Sequence, residues 1–238
     1  MSGNPLLVVD GVREARLLRR PNRFTVELET VEGAALACHL HDPGRLRHLL
    51  RPGARVLYRP AWRPGRRTSC DVAAVYDGDV VVLEDTRLPN RLLPAALPLL
   101  LPGYRVEASE APINGTRVDF VASTPRGGLA LIEVKGTNLV ESGVALFPDA
   151  PSRRARRQLE ALAVAAGSGS ESHVVFTILR PDAGRLAPHR RVDPEFSRLL
   201  CGLRGRLRYH AYTVKPLLEP GGRLAVYMGR VVPVEPCG

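Results

Sequence analysis

Leu129-Ala130-Leu131-Ile132-Glu133-Val134-Lys135 is the stretch on which the reading of this 238-residue chain turns. Its apolar content predicts a strand, so Glu133 and Lys135, two apart, share one face while Ile132 and Val134 point to the other. Lys135 is one of two lysines against thirty-two arginines. Where nearly every basic position is Arg, a Lys in this setting points to chemistry that a guanidinium cannot do. Its ammonium is a compact, movable point charge, whereas Arg stays protonated and prefers planar, bidentate partners. Asp119 lies fourteen residues before Glu133 in Arg117-Val118-Asp119-Phe120, itself a predicted strand. If the two strands pair, two carboxylates and an ammonium converge. Mg²⁺ binds through one or two carboxylates, keeps waters and completes its shell with phosphate oxygens. It can then polarise a phosphate and activate an attacking water, with Lys135 orienting that water or stabilising the developing charge. The same three residues also compose an ordinary cross-strand salt-bridge cluster.

Around this stretch the pattern is α/β. Residues 104–111 and 117–123 read as strands joined through Asn114-Gly115, a strong hairpin signal. Residues 90–101 suggest a short helix interrupted by Pro94 and Pro98. Residues 152–166 have helical character, with Ser152 as cap and Ala155, Leu159, Leu162 and Ala166 on one face. His173 to Leu179 reads as a buried strand, so strand, helix and strand imply a parallel, right-handed crossover. A further helix is expected over 193–203, and edge strands over 207–214 and 224–228. The first eighty or so residues differ. Runs at 24–29, 34–40, 55–58, 70–76 and 80–83 read as short strands separated by Gly and Pro punctuation, which implies a small antiparallel barrel or sandwich, an OB-like barrel being the natural candidate. Two domains are expected: 1–84 and 85–238. In the first, Trp62 reads as a ring folded over the barrel end, with base stacking the alternative.

The net charge of +10 makes a polyanion the expected partner, with nucleic acid ahead of membrane surface. From Pro43 to Cys70 there is no acidic residue, yet there are His48 and eight arginines: Arg45, Arg47, Arg51, Arg55, Arg59, Arg63, Arg66 and Arg67. Such a block could neutralise several phosphates. The four cysteines (Cys38, Cys70, Cys201, Cys237) are scattered, with no C-x-x-C pair, which argues against structural zinc and gives little hint of a disulfide framework. No basic n-region with a long apolar stretch opens the chain, and no segment approaches the roughly 18 apolar residues of a membrane span. A soluble cytoplasmic protein is expected. No P-loop and no G-x-S-x-G motif is present, so nucleotide hydrolysis and serine-hydrolase chemistry lack support. His39 and His41 could contact phosphate but also suit surface or capping roles; His173, His189 and His210 receive none.

Asp followed by Glu-x-Lys across a hairpin resembles the PD-(D/E)XK nuclease core. More specifically, the chain resembles the sugar fermentation stimulation protein A family over most of its length. The residues concerned are Arg20-Pro-Asn-Arg23-Phe24; His39-Leu-His-Asp42-Pro-Gly44-Arg-Leu46; Pro52-Gly53; Glu110 with Gly115-Thr-Arg117-Val-Asp119-Phe120; Glu133-Val-Lys135-Gly-Thr-Asn-Leu139; Phe147-Pro-Asp149-Ala150; and Asp193-Pro194. The resemblance implies an α+β two-domain protein, with an N-terminal OB-like β-barrel and a C-terminal PD-(D/E)XK domain on a mixed sheet. It also implies DNA binding and metal-dependent nuclease activity, with Mg²⁺ as cofactor and Mn²⁺ as the alternative. Carried over by residue, Asp119 and Glu133 would ligate the metal, the Val134 carbonyl and Glu110 could add ligands, and Lys135 would be the catalytic lysine. Glu110 could instead anchor Arg117. The helix after Ala150 would face the active site with Arg153, Arg154, Arg156, Arg157 and Gln158. Nucleic-acid contacts are accordingly assigned to Arg23, Arg45, Arg47, Arg51, Arg63, Arg66, Arg67, Arg153, Arg154 and Gln158. One departure is Ala95, where the family tends to carry a Glu after Asn90, and it raises the alternative of a non-catalytic DNA-binding regulator. A carbohydrate enzyme has only the family name behind it. A homo-oligomer is compatible with the sequence.

Overall fold

The structure, a computed structural model, describes residues 3–44, 46 and 49–238. Its chain separates into two compact units: Met1–Leu88 with Leu179–Pro181 and Val214–Met228, and Pro89–Ile178 with Asp182–Thr213 and Gly229–Gly238.

In the first unit β1 (Leu7–Val9) is followed by β2 (Arg13–Asn22), β3 (Thr25–Thr30), β4 (Ala35–His39), β5 (Arg55–Pro60), β6 (Cys70–Asp77) and β7 (Val80–Leu83). The spatial order is β4-β3-β2-β5-β6-β7, and β4 also pairs with β6 in parallel, Cys38 opposite Cys70 and His39 opposite Asp71. That pairing closes five strands into an OB barrel. Alternation drives it: Val26 and Leu28 of β3 point inward against Leu17, Val56 and Val72 while their neighbours face out. The sequence reading missed β2, because Arg16, Arg19 and Arg20 interrupt the apolar pattern. Its inward residues Ala15 and Leu17 are nonetheless buried, and it sits between β3 and β5.

Two sequence expectations fail here. The cysteines are not scattered in space: Cys38–Cys70 and Cys201–Cys237 are disulfides. Parallel closure of the barrel brings the first pair together across 32 residues of sequence, which spacing alone does not reveal. Trp62 does not fold over the barrel end; it is 75% exposed.

The second unit contains α1 (Leu88–Leu100), β8 (Arg105–Ile113), β9 (Thr116–Ser123), β10 (Leu129–Thr137), β11 (Val140–Glu141), β12 (Val144–Phe147), α2 (Arg153–Gly167), β13 (Glu171–Ile178), β14 (Arg185–Pro188) and α3 (Pro194–Gly202). The long strands β15 (Arg208–Glu219) and β16 (Arg223–Val232) each give one end to either unit. The sheet order β15-β13-β10-β9-β8 is mixed: β13 is parallel to both neighbours, and β8, β9 and β10 are antiparallel. The expected crossover through α2 is present. β15 is not an edge strand as expected, because β13 flanks it on one side and β16 on the other; β16 in turn lies between β15 and β1. β11, β12 and β14 form a small separate sheet that was not anticipated. Ser152 caps α2 by accepting from the Ala155 N–H, and Leu159 and Leu162 pack on Val174 and Phe176. The Asn114-Gly115 turn has both φ values positive (41° and 75°), which a two-residue type I′ hairpin requires. Among the described residues no helix is long and apolar enough to cross a membrane.

Candidate active site

β9 and β10 pair from Leu129↔Ser123 to Ile132↔Phe120, and there the ladder stops. Beyond that point the Val134 N–H donates to Asp119 Oδ2 (2.7 Å) and not to a backbone carbonyl of β9. The inserted carboxylate is held at its other oxygen by Asn90 Nδ2 from the first turn of α1 (2.9 Å). Gly136 permits this approach: a Cβ there would lie 2.4 Å from Pro89 Cγ, so only glycine lets β10 pass the start of the helix that carries Asn90. On a regular strand the N–H and C=O of one residue point to the same edge, so the Val134 carbonyl is turned toward β9 as well.

Glu133 is 1% exposed. One of its oxygens, Oε1, accepts from Lys135 Nζ at 2.5 Å; the other, Oε2, is buried with no hydrogen-bond partner. Burial pushes the Glu133 carboxyl up to about 7, the pull of Lys135 opposing and the neighbouring Asp119 carboxylate adding to the rise. Lys135 is itself fixed on a second side by Gln158 Oε1 of α2 (2.7 Å), whose amide Nε2 donates to the Arg117 carbonyl (3.4 Å).

A buried acceptor without a donor is costly. A cation is the partner that would satisfy Glu133 Oε2, share Asp119 and draw on the Val134 carbonyl. Hard oxygen donors of this kind suit Mg²⁺ or Mn²⁺, with water and phosphate completing the shell. Among the described residues no three His, Cys, Asp or Glu side chains form a metal-binding group. The third predicted carboxylate explains why. Glu110 is exposed and 3.5 Å from Arg117 Nε, whose Nε also donates to the Glu110 carbonyl at 3.1 Å. The register Ser109↔Phe120 and Ala111↔Val118 nevertheless sets Glu110 opposite Asp119, and its φ of +56° is unusual for a non-glycine strand residue.

Two family profiles match the chain: the SfsA N-terminal OB domain over residues 18–84 and the sugar fermentation stimulation protein RE domain over 87–216. A sugar fermentation stimulation protein homolog of Chloroflexus aurantiacus is 42% identical over 98% of this chain and 87% of its own. The chain belongs to the sugar fermentation stimulation protein family. A homolog of Moorella thermoacetica is 44% identical over 77% of this chain and 81% of its own. The fold is that of Pyrococcus furiosus SfsA, solved in complex with Ca²⁺: TM-score 0.84, covering 98% of this chain and all of that one, at 24% identity. The SfsA family's restriction-endonuclease-like domain therefore carries Asp119, Glu133 and Lys135, and its OB domain carries the basic block.

Within that SfsA framework the predicted nucleic-acid residues separate. Arg23, Arg51, Arg63, Arg67, Arg153 and Arg154 are exposed. Arg45 and Arg47 lie outside the described residues. Arg66 bonds Asp71, the Ala61 and Cys70 carbonyls and Thr68, so its guanidinium braces the chain. Gln158 is likewise buried and occupied by Lys135, a positioning role that the sequence reading placed on nucleic acid. Arg156 is paired with Asp193 and Glu195. Ala95 is exposed and about 140° around α1 from Asn90 at 3.6 residues per turn. A Glu there would point away from the Asn90 side of the helix, so its loss leaves Asp119's support intact.

Proposed function

We propose that this protein is a cytoplasmic, divalent-cation-dependent nuclease acting on DNA, with residues 1–84 gripping the phosphate backbone and 85–238 cutting it. The observation that carries the reading is the buried, partnerless Glu133 Oε2 beside Asp119 and Lys135. The Ca²⁺ in the P. furiosus relative supports a hard cation on this fold, and the net charge of +10 supports a polyanionic substrate.

Asp119, Glu133 and the Val134 carbonyl would hold Mg²⁺ or Mn²⁺, which supplies Lewis acidity and an activated water when bound. The chain's own residues do the rest. Val134 N–H and Asn90 fix the Asp119 carboxylate in one orientation, so little reorganisation accompanies binding. Glu133 and Gln158 hold the Lys135 ammonium, which donates to the phosphoryl oxygens as negative charge develops on them. Gln158 is a positioning residue, and Arg153 and Arg154 on the exposed face of α2 meet the backbone of the same strand.

The test is incubation with single- and double-stranded DNA in Mg²⁺ or Mn²⁺, beside EDTA controls and the Asp119→Ala and Lys135→Ala variants. Metal-dependent cleavage lost in both variants is the expected outcome. A second reading, a regulator that binds DNA on a nuclease scaffold, is favoured by Glu110 facing Arg117 and by the absence of a third carboxylate among the described residues. It predicts full DNA affinity in EDTA and no cut product.

A further inference from the structure

The OB unit holds a concavity of about 650 Å³ that the nuclease chemistry does not use. Its walls include Trp62, His39, Arg59, Arg63 and Arg67. The segment that presents Trp62 is preorganised. Arg66 ties the loop to β6 through the Ala61 carbonyl (2.8 Å), the Cys70 carbonyl (3.2 Å) and Asp71, and the Ala61 N–H donates to the Ser69 carbonyl (2.9 Å). With Arg66 so engaged, Trp62, Arg63 and Arg67 project outward. Asp71, the acidic residue of this wall, is already matched by Arg66 and by His41 at 3.1 Å. Beside the concavity Phe24, 48% exposed, stacks on His39 with ring centroids 6.3 Å apart and 14° between planes.

An exposed indole on a braced loop, among arginines, is a poor way to spend apolar surface unless something stacks on it. Duplex backbone needs only the cations. Aromatic faces interleaved with cations suit an unpaired strand, whose bases offer their own faces. We infer that this concavity receives a single-stranded DNA segment, one base stacked on Trp62 and the adjoining phosphates met by Arg59, Arg63 and Arg67. The substrate of the nuclease core is then DNA with an unpaired stretch, such as a flap, gap or frayed end. This rests on the reading that the chain binds DNA.

Trp62 is the chain's one tryptophan, so its emission reports the site directly. The protein is titrated in EDTA, which stops cleavage, with a twelve-nucleotide oligothymidine and with a blunt hairpin duplex. Affinities of the variants are read from the anisotropy of labelled DNA. The single strand is expected to quench Trp62. Trp62→Ala should weaken single-strand binding roughly tenfold, the size of losing one base–aromatic stack, and change duplex binding less than twofold. Trp62→Phe should restore most of the loss. Single-strand binding without quenching, and unchanged in Trp62→Ala, overturns the inference. Binding of the duplex alone overturns it while leaving the DNA-binding reading in place, and binding of neither form overturns both.

Discussion

Replacing Glu133 by Gln removes the ionisation of the most confined carboxyl in the active site while keeping an oxygen for Lys135 Nζ. In the fold this carboxyl is held at about 7 by burial, against 4.5 for an ordinary Glu. Because the folded value is the higher one, the group's contribution to stability is full below about 4.5 and is lost as pH rises through 7. At about 1.4 kcal/mol per pH unit, the gap amounts to about 3 kcal/mol in the cation-free protein. The variant carries no ionisable group at this position, so the difference in slope between the two curves reports the ionisation of Glu133. The assay is chemical denaturation of both proteins in EDTA from pH 5 to 8. The stability of the natural protein relative to Glu133→Gln should fall by about 2.5 kcal/mol from pH 5 to 8, part of the gap being already lost at pH 5. Mg²⁺ at about a hundred times its dissociation constant should then raise the natural protein at pH 8 by roughly 2.7 kcal/mol, and the variant by much less. Two curves that run parallel from pH 5 to 8 would refute the claim that Glu133 is a desolvated, partly orphaned carboxylate.

Gly136→Ala places a Cβ 2.4 Å from Pro89 Cγ, so it should cost about 1–3 kcal/mol and reduce cleavage by shifting Asn90. Gly167→Ala, at the open end of α2, is the control and should be near neutral when both variants are compared by chemical denaturation. His210 stacks on the buried His173, with Nε2 3.0 Å from its Nδ1, and burial together with His173 and Arg208 pushes it down to about 4. Its folded value is the lower one here, so stability is full above about 6.5 and is lost as pH falls toward 4, by about 3 kcal/mol. His210→Gln should flatten that acid limb in urea titrations at pH 7 and 4.5. Thiol titration of the unreduced protein in denaturant should find none of the four cysteines free. The Cys201→Ser, Cys237→Ser double variant should lose roughly 2–4 kcal/mol.

Local signals make much of this fold and site legible in the sequence. Two-residue alternation put Glu133 and Lys135 together, Asn114-Gly115 announced the hairpin, and Ser152 announced the start of α2. Gly and Pro punctuation marked the barrel strands from β3 to β7. What escaped depends on contacts distant in sequence. Cys38 meets Cys70 only because β4 and β6 close the barrel in parallel. β2 hid behind its outward arginines. β15 read as an edge because nothing in its own sequence states that β13 and β16 flank it. The same limit applies to function: Arg66 and Gln158 look like ligand-facing cations and amides in the sequence, yet their partners Asp71 and Lys135 turn one into a loop brace and the other into a positioning group. Asn90 entered the reading only as a landmark for Ala95. Its bond to Asp119 is the firmer fact about that helix.

The most direct measurement pairs Mn²⁺ binding by calorimetry with single-turnover DNA cleavage on the same preparations of the natural protein, Asp119→Asn and Lys135→Ala. Asp119→Asn should lose both the cation and cleavage, whereas Lys135→Ala should keep the cation and lose cleavage by about a hundredfold or more, the scale for removing one preorganised electrostatic donor. Cleavage in Lys135→Ala as fast as in the natural protein, or unaltered Mn²⁺ binding in Asp119→Asn, would contradict the assignment of this site.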